Sequence, residues 1–277
     1  MMKLIHLTDT HIVPKGETLY GRNPAIMLEQ CIGDINENHS DANLCVITGD
    51  LTHWGELESF HYLKTELDKL SIPVQLLIGN HDSRAEFAEL FPSQYPQATK
   101  FMQSYRIVDT GVFLFLDTVQ EGHHKGWYCQ ERLNWLNDAL HASRGRHIYI
   151  FMHHPPFDIG ITALDNIGFV NSTDFREVLE PYIPLVRHIF FGHIHRPLAG
   201  SWLGMPISSL PSLNHQVRLD IDKNIPLYGK FEPPMYAVVL ISPESVIIHN
   251  HQFADDSAEF DMANPPITDW ATKKHRL

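Results

Sequence analysis

The chain has 277 residues, 43% of them hydrophobic, enough to close a sizeable core in one large domain or two small ones. Its 21 lysines and arginines against 33 aspartates and glutamates leave a net charge of −12, which disfavours nucleic-acid polymers and membrane surfaces as partners. No apolar run approaches the roughly 18 residues of a membrane span, no signal-peptide core fits before Asp9 and His11, and Cys31, Cys45 and Cys129 form no paired motif, so a soluble protein of the reducing cytoplasm is expected.

In chain order, apolar runs of strand length alternate with helical patterns, which predicts an α/β layered fold. Strands are expected at "KLIHLTD", "LCVITGD", "PVQLLIGN", "VFLFLDT", "HIYIFMH" and "HIFFGH". A helix should open at Asn23, which caps, with Pro24 in the first turn and Ala25, Leu28, Ile32 and Ile35 on one face. Leu57, Phe60, Leu63, Leu67 and Leu70 mark a second helix, and Leu133, Leu136 and Leu140 a third. Beyond residue 200 the texture changes to "LPSLNHQV", "NIPLYGKFEPPMYAVVLI" and "ESVIIHNHQF", read as two or three late strands with long loops. An acidic, weakly ordered tail is expected from about Asp255.

The polar residues that end the strands carry the chemistry. Side chains two apart on a strand share a side, so Asp9 and His11 are expected to converge at a carboxyl end, where open α/β sheets place ligands. Other strands deliver Asp50, then Asn80, His81 and Asp82, then His153 and His154, then His193 and His195. Each motif alone has a bland reading: D-x-H and G-D as turns, G-N-H-D as a loop, H-H-P-P as a strand stopped by proline. Five strands ending in oxygen and nitrogen donors along one edge make metal binding the better reading. Carboxylate, amide and imidazole donors without thiolate suit Mn, Fe, Zn or Co. Seven ligands exceed one ion and predict two, bridged by a carboxylate such as Asp50, in the geometry of about 3.5–4 Å separation used for displacement at phosphorus.

The order D-x-H, GD, GNHD, a histidine after an apolar strand, and GHxH over residues 9–195 resembles the calcineurin-like metallophosphoesterase superfamily. "TLYG", "KGW", "MHHPP" and "LPSLNHQV" make the chain similar to the bacterial class III cyclic nucleotide phosphodiesterase and glycerophosphodiesterase group. The resemblance implies a four-layer αββα sandwich with a C-terminal cap or dimerisation extension. It divides the chain into a catalytic core at 1–200, remaining core strands with the cap at 201–255 and the acidic tail at 256–277. It further implies that Asp9, His11, Asp50 and His195 hold one divalent ion and that Asp50, Asn80, His153 and His193 hold the other. His153 is chosen over His154 because the first of the pair matches the ligand position; His154 is expected to face the other side of its strand, packed or hydrogen-bonded rather than ligating. His81 is expected to contact the phosphate and stabilise its charge or protonate the leaving oxygen, with Asp50 and the attacking hydroxide bridging the two ions.

One position departs from the pattern. "GDLTHWG" places His53 where an acid or asparagine is usual, so His53 is read as a substrate contact or a surface residue at a helix start, and His215 as a substrate contact or a packing residue. The implied activity is hydrolysis of a small phosphodiester, a 3′,5′-cyclic nucleotide or a glycerophosphodiester, by a homo-oligomer. The alternatives are a phosphomonoesterase or protein phosphatase on the same scaffold, for which Arg84, Arg22 and Arg196 are the candidate cations, and a metal-binding scaffold without catalysis.

Overall fold

The computed structural model describes residues 1–94, 100–221 and 225–263; most of the expected acidic tail lies outside the described residues. The strands in order are β1 (Met2–Leu7), β2 (Leu44–Thr48), β3 (Val74–Leu77), β4 (Ser104–Val108), β5 (Gly111–Phe115), β6 (Ile148–Phe151), β7 (Val186–Phe191), β8 (Leu198–Trp202), β9 (Met205–Ser209), β10 (Gln216–Val217), β11 (Gly229–Lys230), β12 (Tyr236–Ile241) and β13 (Val246–His251). The main helices are α1 (Pro24–Asn38), α2 (Leu57–Leu67), α3 (Arg84–Leu90), α4 (Gln130–Ala142), α5 (Thr162–Asp165) and α6 (Ser172–Leu179). Asn23 caps α1 as the sequence predicts, its side chain accepting from Ala25 N at 3.0 Å.

Two mixed sheets form, one in the order β13-β12-β1-β2-β3 and one in the order β4-β5-β6-β7-β9-β8. Inner strands such as β2, β5 and β6 are buried throughout because both faces are covered, whereas β4, β8 and β13 at the sheet edges are largely exposed. Leu4, Leu44, Val46 and Leu77 of the first sheet meet Phe113, Phe115, Phe151 and Phe190 of the second in a core between the sheets. Ile5, Leu7, Cys45 and Ile47, one residue out of phase, pack with Leu28, Ile32 and Ile35 of α1 and Phe60 and Leu63 of α2. Val112, Leu114, Ile148 and Ile150 likewise pack with Leu133, Leu136 and Leu140 of α4 and Phe175 of α6. Three stacked cores between four layers are the αββα sandwich.

The late segment holds more strands than its texture suggests. β12 inserts antiparallel beside β1, β9 runs parallel to β7, and β10 and β11, of two residues each, form a separate ribbon. The ribbon is too short to carry a readable alternation, and the β8–β9 hairpin is rich in glycine and serine.

Two histidines are buried between the sheets, away from the strand-end motifs. His6 Nε2 lies 3.0 Å from Thr48 Oγ1 and His188 Nε2 2.8 Å from Ser208 Oγ, with Phe190 beside both rings. Burial, reinforced by His188, pushes His6 down to about 3, and burial pushes His188 down to about 4. An unfolded imidazole near 6.5 takes its proton before either folded one, so stability is full above that pH and falls as acid carries the solution toward 4 and 3. Each group contributes up to about 1.4 kcal/mol per pH unit in that window. We expect His188→Gln to flatten the loss of urea midpoint between pH 7 and 4.5; a slope equal to that of the parent chain would contradict it.

Candidate metal centre

The polar motifs meet at the carboxyl ends of β1, β2, β3, β6 and β7, but not by strand alternation. β1 ends at Leu7 and β2 at Thr48, and the expected donors lie in the loops beyond. Asp9 (φ 53°), His11 (46°), Asp50 (48°), His193 (69°) and His195 (50°) are left-handed; only Tyr20 and Leu203 join them among the described non-glycine residues. Each such backbone costs on the order of 1–3 kcal/mol and persists where the surroundings over-determine it. Here Asp9 N donates to Gly49 O at 3.0 Å and His11 N to Asp50 O at 2.9 Å, tying the two loops together. Asp82 fastens the third: its carboxylate accepts from Leu51 N, Thr52 N, Thr52 Oγ1 and Gly79 N at 2.8–2.9 Å. Burial, then the neighbouring Asp50 charge, raises the Asp82 carboxyl to about 6.

The glycines of the motifs make the approach possible. A Cβ on Gly79 would stand 2.2 Å from Asp50 Oδ1, and one on Gly192 would stand 2.1 Å from Thr8 Oγ1. No side chain fits at either position.

Seven donors converge. His11 Nε2 is 2.9 Å from His195 Nε2 and 3.7 Å from Asp50 Oδ2, and His195 Nε2 is 3.6 Å from Asp9 Oδ1. On the other side of Asp50, Oδ1 is 3.3 Å from His153 Nε2, which is 3.2 Å from Asn80 Oδ1; that amide oxygen is 3.0 Å from His193 Nδ1. Asp9, His11, Asp50 and His153 are almost wholly buried.

The outward nitrogens of two of these histidines are held by main-chain carbonyls, which fixes their protons. His153 Nδ1 donates to Thr48 O at 2.8 Å and His195 Nδ1 to His215 O at 2.9 Å. In the neutral rings the inward Nε2 atoms then carry lone pairs. His153 Nε2 therefore faces two oxygens, Asp50 Oδ1 and Asn80 Oδ1, and acceptor facing acceptor is stable only with positive charge between them. Burial lowers His153, but the Asp50 carboxylate more than offsets this and raises the ring to about 9, so a positive charge at Nε2, a proton or a metal ion, is what Asp50 favours there. Burial, then His153, takes His193 down to about 3, and burial, only partly offset by Asp50, takes His11 well below its usual range. Burial would raise Asp50 too, yet His153 and His81 hold it well below the carboxylate range. A set of carboxylate, amide and imidazole donors with inward lone pairs fits a divalent ion on each side of Asp50.

The remaining expected residues surround this centre. His81 is half-buried; its backbone N donates to Asp50 Oδ1 at 2.9 Å and its Nδ1 to His53 O at 2.7 Å, leaving Nε2 open. His53 is neither at the surface nor in a helix: it is 6% exposed, precedes α2, stacks on His81 with ring centroids 5.0 Å apart, and has Nδ1 3.3 Å from His11 Nδ1. Burial, then His81, lowers it to about 4. The ring of His215 lies 4.6 Å from that of His195. His154 does not point away from the centre as alternation suggests, because β6 ends at Phe151; its ring is 4.5 Å from that of His193. Both its nitrogens are occupied, Nδ1 with Thr118 Oγ1 at 2.7 Å and Nε2 with His124 O at 3.1 Å, so it is a hydrogen-bonded neighbour.

Residues 2–197 match the family model of the calcineurin-like phosphoesterases. The chain belongs to that family. It is 36% identical over 265 residues to a probable cyclic nucleotide phosphodiesterase of Rhodopseudomonas palustris, covering 94% of this chain and 96% of that one. It is 29% identical over 257 residues to a glycerophosphodiester phosphodiesterase of Enterobacter lignolyticus, covering 91% and 92%. A dimetal phosphatase from Danio rerio shares the fold, with a TM-score of 0.68 at 16% identity over 92% of this chain and 97% of that one.

Sequence reasoning missed Thr48, Asp82 as a loop fastener, and His124, whose Nδ1 lies 3.2 Å from Asn80 Nδ2. Asp82 was visible in G-N-H-D but reads there as one more turn residue. A main-chain carbonyl such as that of Thr48 leaves no signal in residue type.

Proposed function

We propose that this chain is a dinuclear metal-dependent phosphodiesterase for small phosphodiesters. In this reading Asp9, His11, Asp50 and His195 hold one ion and Asp50, Asn80, His153 and His193 the other, with Mn, Fe, Zn or Co as candidates. The observation that carries it is Asp50: Oδ2 is turned toward His11 and Oδ1 toward His153, one carboxylate addressing two groups of inward lone pairs. When bound, two such ions neutralise phosphate charge and lower the pKa of water from 15.7 toward about 7, so hydroxide is available at neutral pH.

The chain's own residues do the rest. The carbonyls of Thr48 and His215 orient His153 and His195, and the glycine-lined loops bring the donors within reach of one another. His81, oriented by the His53 carbonyl where an acid is usual, turns Nε2 outward to contact the phosphate and give the leaving oxygen a proton. His53 and His215 line the substrate's approach beside it. Residues 201–255 combine core strands with a cap over the centre. The name of the Rhodopseudomonas palustris relative supports a cyclic nucleotide and that of the Enterobacter lignolyticus relative a glycerophosphodiester. No described helix is long and apolar enough to cross a membrane. We place the enzyme in the cytoplasm, with its cysteines reduced, as a homo-oligomer.

A monoesterase needs cations for a dianionic phosphate, and the three candidate arginines are engaged elsewhere. Arg84 binds Asp117 at 2.9 Å and Glu121 at 2.8 Å, Arg196 binds Glu232 at 2.7 Å, and Arg22 lies over the Phe231 ring at 4.0 Å. The deciding experiment is turnover by the Mn²⁺-reconstituted protein on 3′,5′-cyclic AMP, glycerophosphoethanolamine and a phosphomonoester. Preferential hydrolysis of a diester is expected; activity confined to the monoester would contradict it.

A further inference from the structure

Tyr20 breaks a local rule. Leu19 and Arg22 exchange backbone hydrogen bonds, Leu19 N to Arg22 O at 2.7 Å and Arg22 N to Leu19 O at 3.1 Å, around the two-residue turn Tyr20–Gly21. Both central residues have positive φ, 54° and 81°, a geometry that favours asparagine or aspartate before glycine. A bulky tyrosine there is strained, yet the residue is 63% exposed and so recovers little by burial. The turn is nevertheless held in place: Asn214 Nδ2 donates to Leu19 O at 3.3 Å, and the Arg22 guanidinium lies over Phe231.

The ring faces the metal centre's edge. Its centroid is 4.7 Å from that of His215, whose own ring is 5.2 Å from His11. Tyr20 and His215 open onto a cavity of about 390 Å³ completed by Leu227, Tyr228, Lys230 and Phe231. Tyr228 and Phe231 are also half exposed, and an arginine lies over one face of each, Arg218 at 4.4 Å and Arg22 at 4.0 Å. Such a volume is within the range of small-molecule sites. Three exposed aromatic rings at one mouth, two braced by guanidinium groups, make a surface for a flat, polarisable group rather than for a hydrated glycerol chain.

We propose that this cavity is a stacking slot for a nucleobase, so that the preferred substrate is a nucleoside cyclic phosphate over a glycerophosphodiester. This rests on the phosphodiesterase reading for the reaction but on Tyr20, His215 and Phe231 for the preference. A phosphate at the metal centre carries its nucleoside past His215 toward Tyr20.

The test uses Tyr20→Asn, which removes the ring while supplying a residue the turn prefers, with Phe231→Leu as a second variant. Base–aromatic stacking is worth about 1–3 kcal/mol, so the ratio of kcat/KM on cyclic AMP to that on glycerophosphoethanolamine is expected to fall roughly fivefold or more. Binding of adenosine, measured calorimetrically without turnover, is expected to weaken by a similar factor. The Tm of Tyr20→Asn should hold or rise, whereas a merely structural tyrosine would lower it. An unchanged ratio, or a parent chain that binds no adenosine, would overturn the slot. Should the parent turn over neither diester, the phosphodiesterase reading fails, and the adenosine comparison still decides the slot by itself.

Discussion

Asp50→Asn is expected to lower kcat on a phosphodiester by on the order of 10³-fold or more and to reduce bound metal below two ions per chain. Asparagine preserves shape, so the fold stays. What changes is that one negative charge facing both donor groups becomes a neutral amide, and the His81 N–H and His153 Nε2 that address Oδ1 lose their charged partner. No other carboxylate among the described residues lies between His11 and His153 in this way: Asp9 Oδ1 approaches His195 at 3.6 Å but reaches only the hydrogen-bonded Nδ1 of His153, at 4.0 Å. Asn80→Ala should act on one side only, removing an oxygen shared by His153 and His193. Plasma mass spectrometry of the purified variants, beside their turnover, checks both. Two ions and normal kcat in Asp50→Asn would remove Asp50 from the bridge.

His81→Ala is expected to separate rate from metal binding. The ring gives no inward lone pair to the seven-donor set; Nδ1 is committed to His53 O, and Nε2 faces out. Two ions should remain, while kcat falls by about 10²–10⁴-fold, the usual range for loss of a positioned acid or base. The deficit should be largest for an alkoxide leaving group and small for p-nitrophenoxide, which departs without a proton. Equal losses on both would assign His81 to charge stabilisation alone, and loss of an ion would make it a ligand.

Much of this site is legible in the residues because chemistry-bearing side chains end apolar runs whose length announces strands. A layered α/β fold is legible through the near-continuous apolarity of β2 and β5, each buried on both faces, whereas the four-layer αββα order is implied by the resemblance and not by the strand pattern. The reason given by alternation for the convergence of Asp9 and His11 is nonetheless wrong. Both lie beyond the strand in left-handed backbone, a conformation disfavoured for residues other than glycine, and the loops' mutual hydrogen bonds hold it there. The same error put His154 on the far face. His53 was readable only as a departure, because its contribution to His81 is a carbonyl oxygen that every residue possesses. The aromatic cavity was unreadable, since Tyr20 and Phe231 are 211 residues apart and two-residue strands carry no pattern.

The most direct test is a Mn²⁺ titration of the metal-stripped protein, with turnover of a phosphodiester read against ions bound per chain. Two sites joined through Asp50 predict that activity appears with the second equivalent and saturates at two. Full activity at one equivalent, or none at two, would contradict the dinuclear centre.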